Sequence, residues 1–208
     1  MVKFRSLTQA VGVKFRNTYF MHNQITIFDG LASFARQVPS PNFSDRPASC
    51  VIDTLIVHNI SLPPGKFGSG YIDQLFCNSL NCTEHEYFAQ LEGLQVSAHI
   101  LIERDGLMVQ YVPFHKKAWH AGESEFKGRN GCNDFSIGVE LEGTDTQPFT
   151  SAQYQSLILL SHALMDCYPD ITIDRIVGHS DVAPSRKTDP GPCFDWQLYK
   201  KGLGPGAD

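Results

Sequence analysis

Val51-Ile52-Asp53-Thr54-Leu55-Ile56-Val57, followed at once by His58 and Asn59, reads as a buried strand, because β-branched and apolar residues run through it almost without interruption. The next stretch, Ser61 to Gly70, holds two prolines and three glycines and must be a loop. A parallel or mixed sheet exposes ligand-binding side chains where its strands end, and His58 stands at such an end. Taken alone, a histidine there is as well explained by a satisfied buried imidazole.

Working outward, Val96 to Ile102 and Met108 to Val112 flank a segment with an Asp105-Gly106 pair, the signature of a hairpin. Ser136-Ile137-Gly138-Val139-Glu140-Leu141-Glu142 alternates apolar with small or polar residues, which predicts a strand carrying both glutamates on one face. Ala152 to Cys167 repeats apolar residues at helical spacing, has Thr150 and Ser151 as N-cap candidates, and stops before Pro169. A short strand over Ile173 to Val177 then delivers the chain to His179. Shorter helices are expected over Ile27 to Val38, with Phe28, Leu31, Phe34 and Ala35 on one face, and around Ile72 to Cys77. These elements make an α/β fold: a single domain with a central mixed β-sheet flanked by helices. Residues 1–26 read as an extension of unknown role, 27–200 as the domain and 201–208 as a tail.

The chain has 208 residues, 42% hydrophobic and 19% charged, with a formal net charge of -5, an ordinary composition for a soluble domain and a poor one for binding nucleic acid or an anionic membrane. Its six cysteines form no C-x-x-C pair and are expected to be reduced and mostly buried. The segment from Ser6 to Val13 is too polar for the apolar core of a signal peptide, so the expected location is the cytoplasm.

The densest chemistry lies in Gly178-His179-Ser180-Asp181 through Lys187-Thr188-Asp189-Pro190-Gly191-Pro192, where proline and glycine hold reactive side chains without regular structure. His179 and Asp189 are of the types that ligate catalytic zinc, which takes three protein ligands and keeps one position open. Their spacing is not diagnostic, and a capping histidine with a turn aspartate explains them equally well; His58 is the natural third candidate.

Four blocks occur in order: Val57-His58-Asn59-Ile60-Ser61-Leu62-Pro63-Pro64-Gly65, Ala118-Trp119-His120-Ala121-Gly122, Cys132 to Gly143, and Gly178 to Pro192. Together they resemble the AmpD-type 1,6-anhydro-N-acetylmuramyl-L-alanine amidases, of the zinc amidase family that also holds phage T7 lysozyme and the peptidoglycan recognition proteins. The resemblance runs from about Ile27 to about Leu198 and implies an N-acetylmuramoyl-L-alanine amidase-like fold. It implies one Zn2+ held by His58, His179 and Asp189, a catalytic Glu140 with Glu142 as the alternative on the same face, and Lys187 at the developing oxyanion. Asn59, Trp119 and His120 fall in motifs that line the substrate groove, with His120 alternatively behind a ligand. Gln95 and Gly131 stand where arginines are expected, which leaves Arg129 as a candidate for the substrate's carboxylates.

The activity so implied is hydrolysis of the lactyl-L-alanine amide of anhydromuropeptides in cytoplasmic peptidoglycan recycling, by a monomer that binds neither nucleic acid nor membrane. In bacteria with an inducible β-lactamase it would also lower the inducing signal. The alternatives are a phage-type or secreted lysin acting on polymeric wall, a non-catalytic peptidoglycan-binding module, and a cysteine hydrolase built on Cys132 and His120.

Overall fold

Alternation decides which side of the sheet each residue faces. In the computed structural model, which describes residues 24–204, six strands form the main sheet: β1 Arg36–Gln37, β2 Thr54–Ile60, β3 Ile100–Ile102, β4 Met108–Gln110, β5 Ser136–Glu142 and β6 Ile176–Gly178. Their order is β6-β2-β5-β3-β4-β1. The first four run parallel, β4 returns antiparallel to β3, and β1 runs parallel to β4, so the sheet is mixed as expected.

Leu55 and Val57 of β2 and Ile137, Val139 and Leu141 of β5 point to one face. There they meet Leu157, Leu160 and Leu164 of helix α2, Ser151–Cys167, and Tyr199 of a C-terminal helix, Trp196–Gly202. Burying such a side chain is worth about 1.5–3 kcal/mol, so this face fixes the register of both strands. The opposite face of β5 carries Ser136, Gly138, Glu140 and Glu142, all buried. Thr150 caps α2 in a capping box with Gln153, whose Nε2 also donates to the carbonyls of Ile102 (3.2 Å) and Glu142 (2.9 Å). Helix α1, Tyr71–Phe76, packs Ile72, Leu75 and Phe76 with Phe88 and Tyr111 in a second apolar cluster.

The helix expected over Ile27 to Val38 does not form. Ile27–Phe28 and Leu31–Ala32 pair as a two-stranded ribbon, and β1 follows. Asp29, Gly30 and Phe34 have φ values of 49°, 73° and 64°, each incompatible with a right-handed helix. Tertiary contacts hold this path: the buried Gln110 accepts from Ala32 N (2.8 Å) and donates to Gly30 O (2.9 Å). The apolar face read as core is largely outside it, with Phe28 85% and Phe34 75% exposed. The strand expected over Ile173 to Val177 begins as a 3-10 turn, and only Ile176–Gly178 pairs. Of the six cysteines only Cys132 is buried and Cys167 is exposed, so most do not serve as core residues. Most of the 1–26 extension lies outside the described residues, and no described helix is long and apolar enough to cross a membrane.

Two charged residues tie loops to the sheet. Arg46 donates to the carbonyls of Asn133 (3.0 Å), Asp134 (2.8 Å), Phe114 (3.1 Å) and Ser136 (2.9 Å), and burial lowers its pKa to about 10. Asp53, just before β2, accepts from Thr54, Arg129 and Arg175. Burial opposes its ionisation, but these hydrogen bonds outweigh that and hold the carboxyl below its ordinary value of 3.8. Because the folded pKa is depressed, the contribution is present above that ordinary value and is lost as pH falls through the folded one. Asp53→Asn should therefore destabilise the fold by about 1–3 kcal/mol at pH 7. The gap to wild type should close in urea titrations carried below the ordinary aspartate value, and a gap unchanged under acid would show that the ion pairs are not its source.

Candidate metal centre and catalytic cleft

Parallel pairing brings the site together. Glu140 of β5 lies in register with His58 of β2, and Gly178 of β6 with Val57, so His179 emerges level with His58. His179 opens a short helix, His179–Val182, and the chain returns through Lys187 to Asp189. Ser180 N donates to Asp189 O (2.9 Å), pinning one end of this loop to the other. Gly191 has φ 81°, and a Cβ there would lie 2.5 Å from Asp145 Cα, so only glycine allows the approach. Asn59 Nδ2 bridges the two segments by donating to Asp145 Oδ1 (2.7 Å) and Pro190 O (3.1 Å).

Three donor atoms converge. His58 Nδ1 and His179 Nδ1 are 3.0 Å apart, and Asp189 Oδ2 lies 3.1 Å from the first and 3.0 Å from the second. A tetrahedral ion bound at about 2.0–2.1 Å sets its ligands about 3.3 Å apart, close to this triangle. His58 and His179 are 1% and 2% exposed. Burial lowers the His58 pKa to about 4, keeping the ring neutral. Burial opposes the charge on Asp189 too, but the two imidazoles hold its carboxyl well below the usual range. Two imidazole nitrogens and one carboxylate oxygen are a donor set that a divalent zinc site takes. The far nitrogens are also engaged: His179 Nε2 lies 3.1 Å from Ala121 O, and His58 Nε2 lies 3.0 Å from His120 Nδ1.

The triangle opens on a cleft of about 400 Å³ whose wall includes Asn59, Tyr87, Glu140, Thr144, Asp145 and Lys187. Glu140 Oε2 is buried with no hydrogen-bond partner. Burial first, then the charge of Asp189, raise its pKa well above the ordinary value, with Lys187 opposing. Glu142, left open as an alternative, is committed elsewhere: it accepts from the backbone N–H of Gly68 and, at 3.3 Å, of Arg104. Burial raises the Cys132 thiol, which is no part of the cleft wall, and so removes the chemistry of a cysteine nucleophile.

Other expected residues divide. Asn59 and His120 line the cleft, although Asn59 spends its amide on Asp145 and Pro190. Trp119 does not; its Nε1 points to Ser44 Oγ at 3.3 Å. Arg129 sits at the opposite end of β2, ion-paired with Asp53 and 3.7 Å over the Phe135 ring, so it cannot grip a substrate in this cleft. A further buried histidine, His99, which is not among the residues expected from sequence, is structural: it accepts from Gly138 N (3.0 Å), and burial lowers its pKa to about 3. Tyr87, Thr144 and Asp145 line the cleft without having been singled out in the sequence; Asp145 lies shortly beyond the strand that carries Glu140. Asn133, in the Cys132 to Gly143 block, fixes the Trp119-His120-Ala121 backbone by accepting from His120 N (3.1 Å) and Ala121 N (2.8 Å).

Comparison with known proteins agrees with this geometry. Residues 48–192 match the family model described as N-acetylmuramoyl-L-alanine amidase. The chain is 57% identical over 166 residues to the 1,6-anhydro-N-acetylmuramyl-L-alanine amidase AmpD of Escherichia coli K12, covering 80% of this chain and 90% of that protein. A crystal structure of a selenomethionine AmpD derivative superposes with a TM-score of 0.83 at 52% identity, covering 85% of this chain and 98% of that one. The E. coli amidase AmiD, solved with anhydro-N-acetylmuramic acid-L-Ala-D-gamma-Glu-L-Lys, gives a TM-score of 0.54 at 31% identity over 87% of this chain and 66% of that one. An in-register sheet, a His-His-Asp triangle and an unpartnered glutamate oxygen beside it thus lie within the span that the family model matches, and the chain belongs to the N-acetylmuramoyl-L-alanine amidase family.

Proposed function

We propose that this amidase uses zinc to hydrolyse the amide between the lactyl group of 1,6-anhydro-N-acetylmuramic acid and the L-alanine of its stem peptide. The observation that carries this reading is the unpartnered Oε2 of Glu140, buried in the same cleft as the His58, His179 and Asp189 donor triangle. The AmpD name of the similar E. coli protein, and the anhydromuropeptide solved with AmiD, support the substrate class.

His58, His179 and Asp189 would hold the ion, which when bound supplies the Lewis acidity that makes water a nucleophile at neutral pH. Glu140 does the proton work. Its Oε2 has no protein proton to accept, so it takes one from the attacking water and returns it to the nitrogen of the leaving alanine. Its raised pKa suits both halves of that transfer, because a carboxylate at its ordinary value holds a proton too weakly to deliver it. Lys187, on the cleft wall, brings the positive charge that the carbonyl oxygen needs as the bond breaks. Asn59, through Asp145 and Pro190, keeps the Asp189 loop seated on the strand end.

The enzyme acts as a cytoplasmic monomer in peptidoglycan recycling, where release of stem peptides also lowers the muropeptide signal that induces β-lactamase. A lysin acting on polymeric wall is the competing reading. Purified protein given an anhydromuropeptide and intact sacculi in parallel should release peptide from the small substrate, and release from sacculi alone would overturn the assignment. Asp189→Ala should lose both zinc and turnover. Glu140→Ala should keep stoichiometric zinc by elemental analysis while turnover drops about 10²–10⁴-fold. Near-normal turnover in that variant would remove Glu140 from the mechanism. Chelation should abolish activity and added zinc restore it, whereas a thiol alkylator should leave it intact.

A further inference from the structure

For His58 to offer its Nδ1 lone pair towards His179 and Asp189, its proton must sit on Nε2. Something must hold it there. Nε2 of His58 lies 3.0 Å from Nδ1 of His120, and the two rings meet edge to face at 89°. Nε2 of His120 lies 3.3 Å from Ser136 Oγ, and that hydroxyl lies 2.6 Å from the carbonyl oxygen of Cys132.

A carbonyl oxygen can only accept, so at 2.6 Å the Ser136 proton must lie on the Cys132 contact. The hydroxyl oxygen is then left to accept from His120 Nε2–H. Nδ1 of His120 in turn accepts from His58 Nε2–H, which leaves His58 Nδ1 bare. Reversing the direction would set the Ser136 oxygen and the Cys132 carbonyl lone pair against lone pair. The chain of contacts therefore has one polarity, and both ends demand the same one.

The strand beneath is cut to fit. A Cβ at Gly138 would lie 2.4 Å from both Cγ and Nδ1 of His120, so glycine is required for space and the imidazole rests on bare backbone. Ser136 and Gly138 share a face of β5 with Glu140, which puts the support for the metal ligand and the proposed base on one strand.

We propose that the Cys132 carbonyl, Ser136 and His120 form a polarity relay that locks His58 in its Nε2–H tautomer and so sets the affinity of the site for a divalent metal, with Gly138 holding the space for it. Ser136, Gly138 and His120 are positioning residues. The inference deepens the zinc reading above and rests on it.

The test measures zinc affinity of the full chain by competition with a chromogenic chelator. His120→Phe, which keeps a planar ring and removes both nitrogens, should weaken zinc about 10–100-fold, the usual effect of losing a ligand's hydrogen-bond partner. Ser136→Ala should weaken it about 10-fold alone and add nothing in the His120→Phe background, because the relay is already cut. Gly138→Ala should match His120→Phe. In ¹⁵N spectra of the zinc-loaded wild type, a slowly exchanging His58 Nε2–H should be visible and should vanish in His120→Phe. Ser136→Ala removes a single hydroxyl, so it decides the matter should the other variants fail to fold. Folded Ser136→Ala with zinc affinity within twofold of wild type overturns the relay, as does an equal loss in both backgrounds. Wild-type protein that takes up no zinc overturns the metal reading itself, a result distinct from either.

Discussion

The site depends on one alignment, the parallel pairing of Thr54–Ile60 with Ser136–Glu142 that sets His58 beside Glu140. Strand side chains alternate, so a slip of one residue in either strand would turn its His58 or Glu140 into the layer occupied by Leu157, Leu160 and Leu164 and send Val57 or Val139 into the cleft. Leu55, Val57, Ile137, Val139 and Leu141 prevent that slip by packing under α2. The apolar half of each strand thereby does for the chemistry what no polar contact does: it fixes which residues meet.

The polar half is sorted by how completely each group is satisfied. Glu142 is committed to the Gly68 and Arg104 amides and closes loops over the strand ends. The histidines are satisfied on their outer nitrogens and converge with Asp189 on the inner ones. Glu140 alone among these carboxylates keeps a buried oxygen without a hydrogen-bond partner, and burial there raises its proton affinity. Two glutamates separated by one residue thus have different surroundings, because one faces amide hydrogens and the other faces a cleft.

Much of this was legible in the residues. The alternation before Glu140 and the capped helix after Thr150 carry strong local periodicity, and the structure follows them; the run before His58 also forms a strand, but over Thr54–Ile60 rather than Val51–Val57, because pairing with Ser136–Glu142 carries it past His58. The N-terminal segment was not legible, since its helical spacing of Phe28, Leu31 and Phe34 yields to hydrogen bonds from Gln110, which lies some 80 residues away in sequence. Arg129 was misplaced for a similar reason. A basic residue near a motif says nothing of which end of a strand it reaches, and Asp53 holds this one at the far end. The need for Gly138 was invisible too, because it comes from the ring of His120 pressing on the backbone.

Glu140 also says something about how such a protein changes over time. A buried carboxyl oxygen without a partner is a net cost to folding, one that an apolar side chain of similar shape would remove. Selection for thermal robustness alone would therefore press towards discarding Glu140, and on the mechanism proposed above it is selection for turnover that retains it. Lineages freed from the need to cut, yet still needing the shape of the cleft, have a downhill route to becoming pure binding proteins.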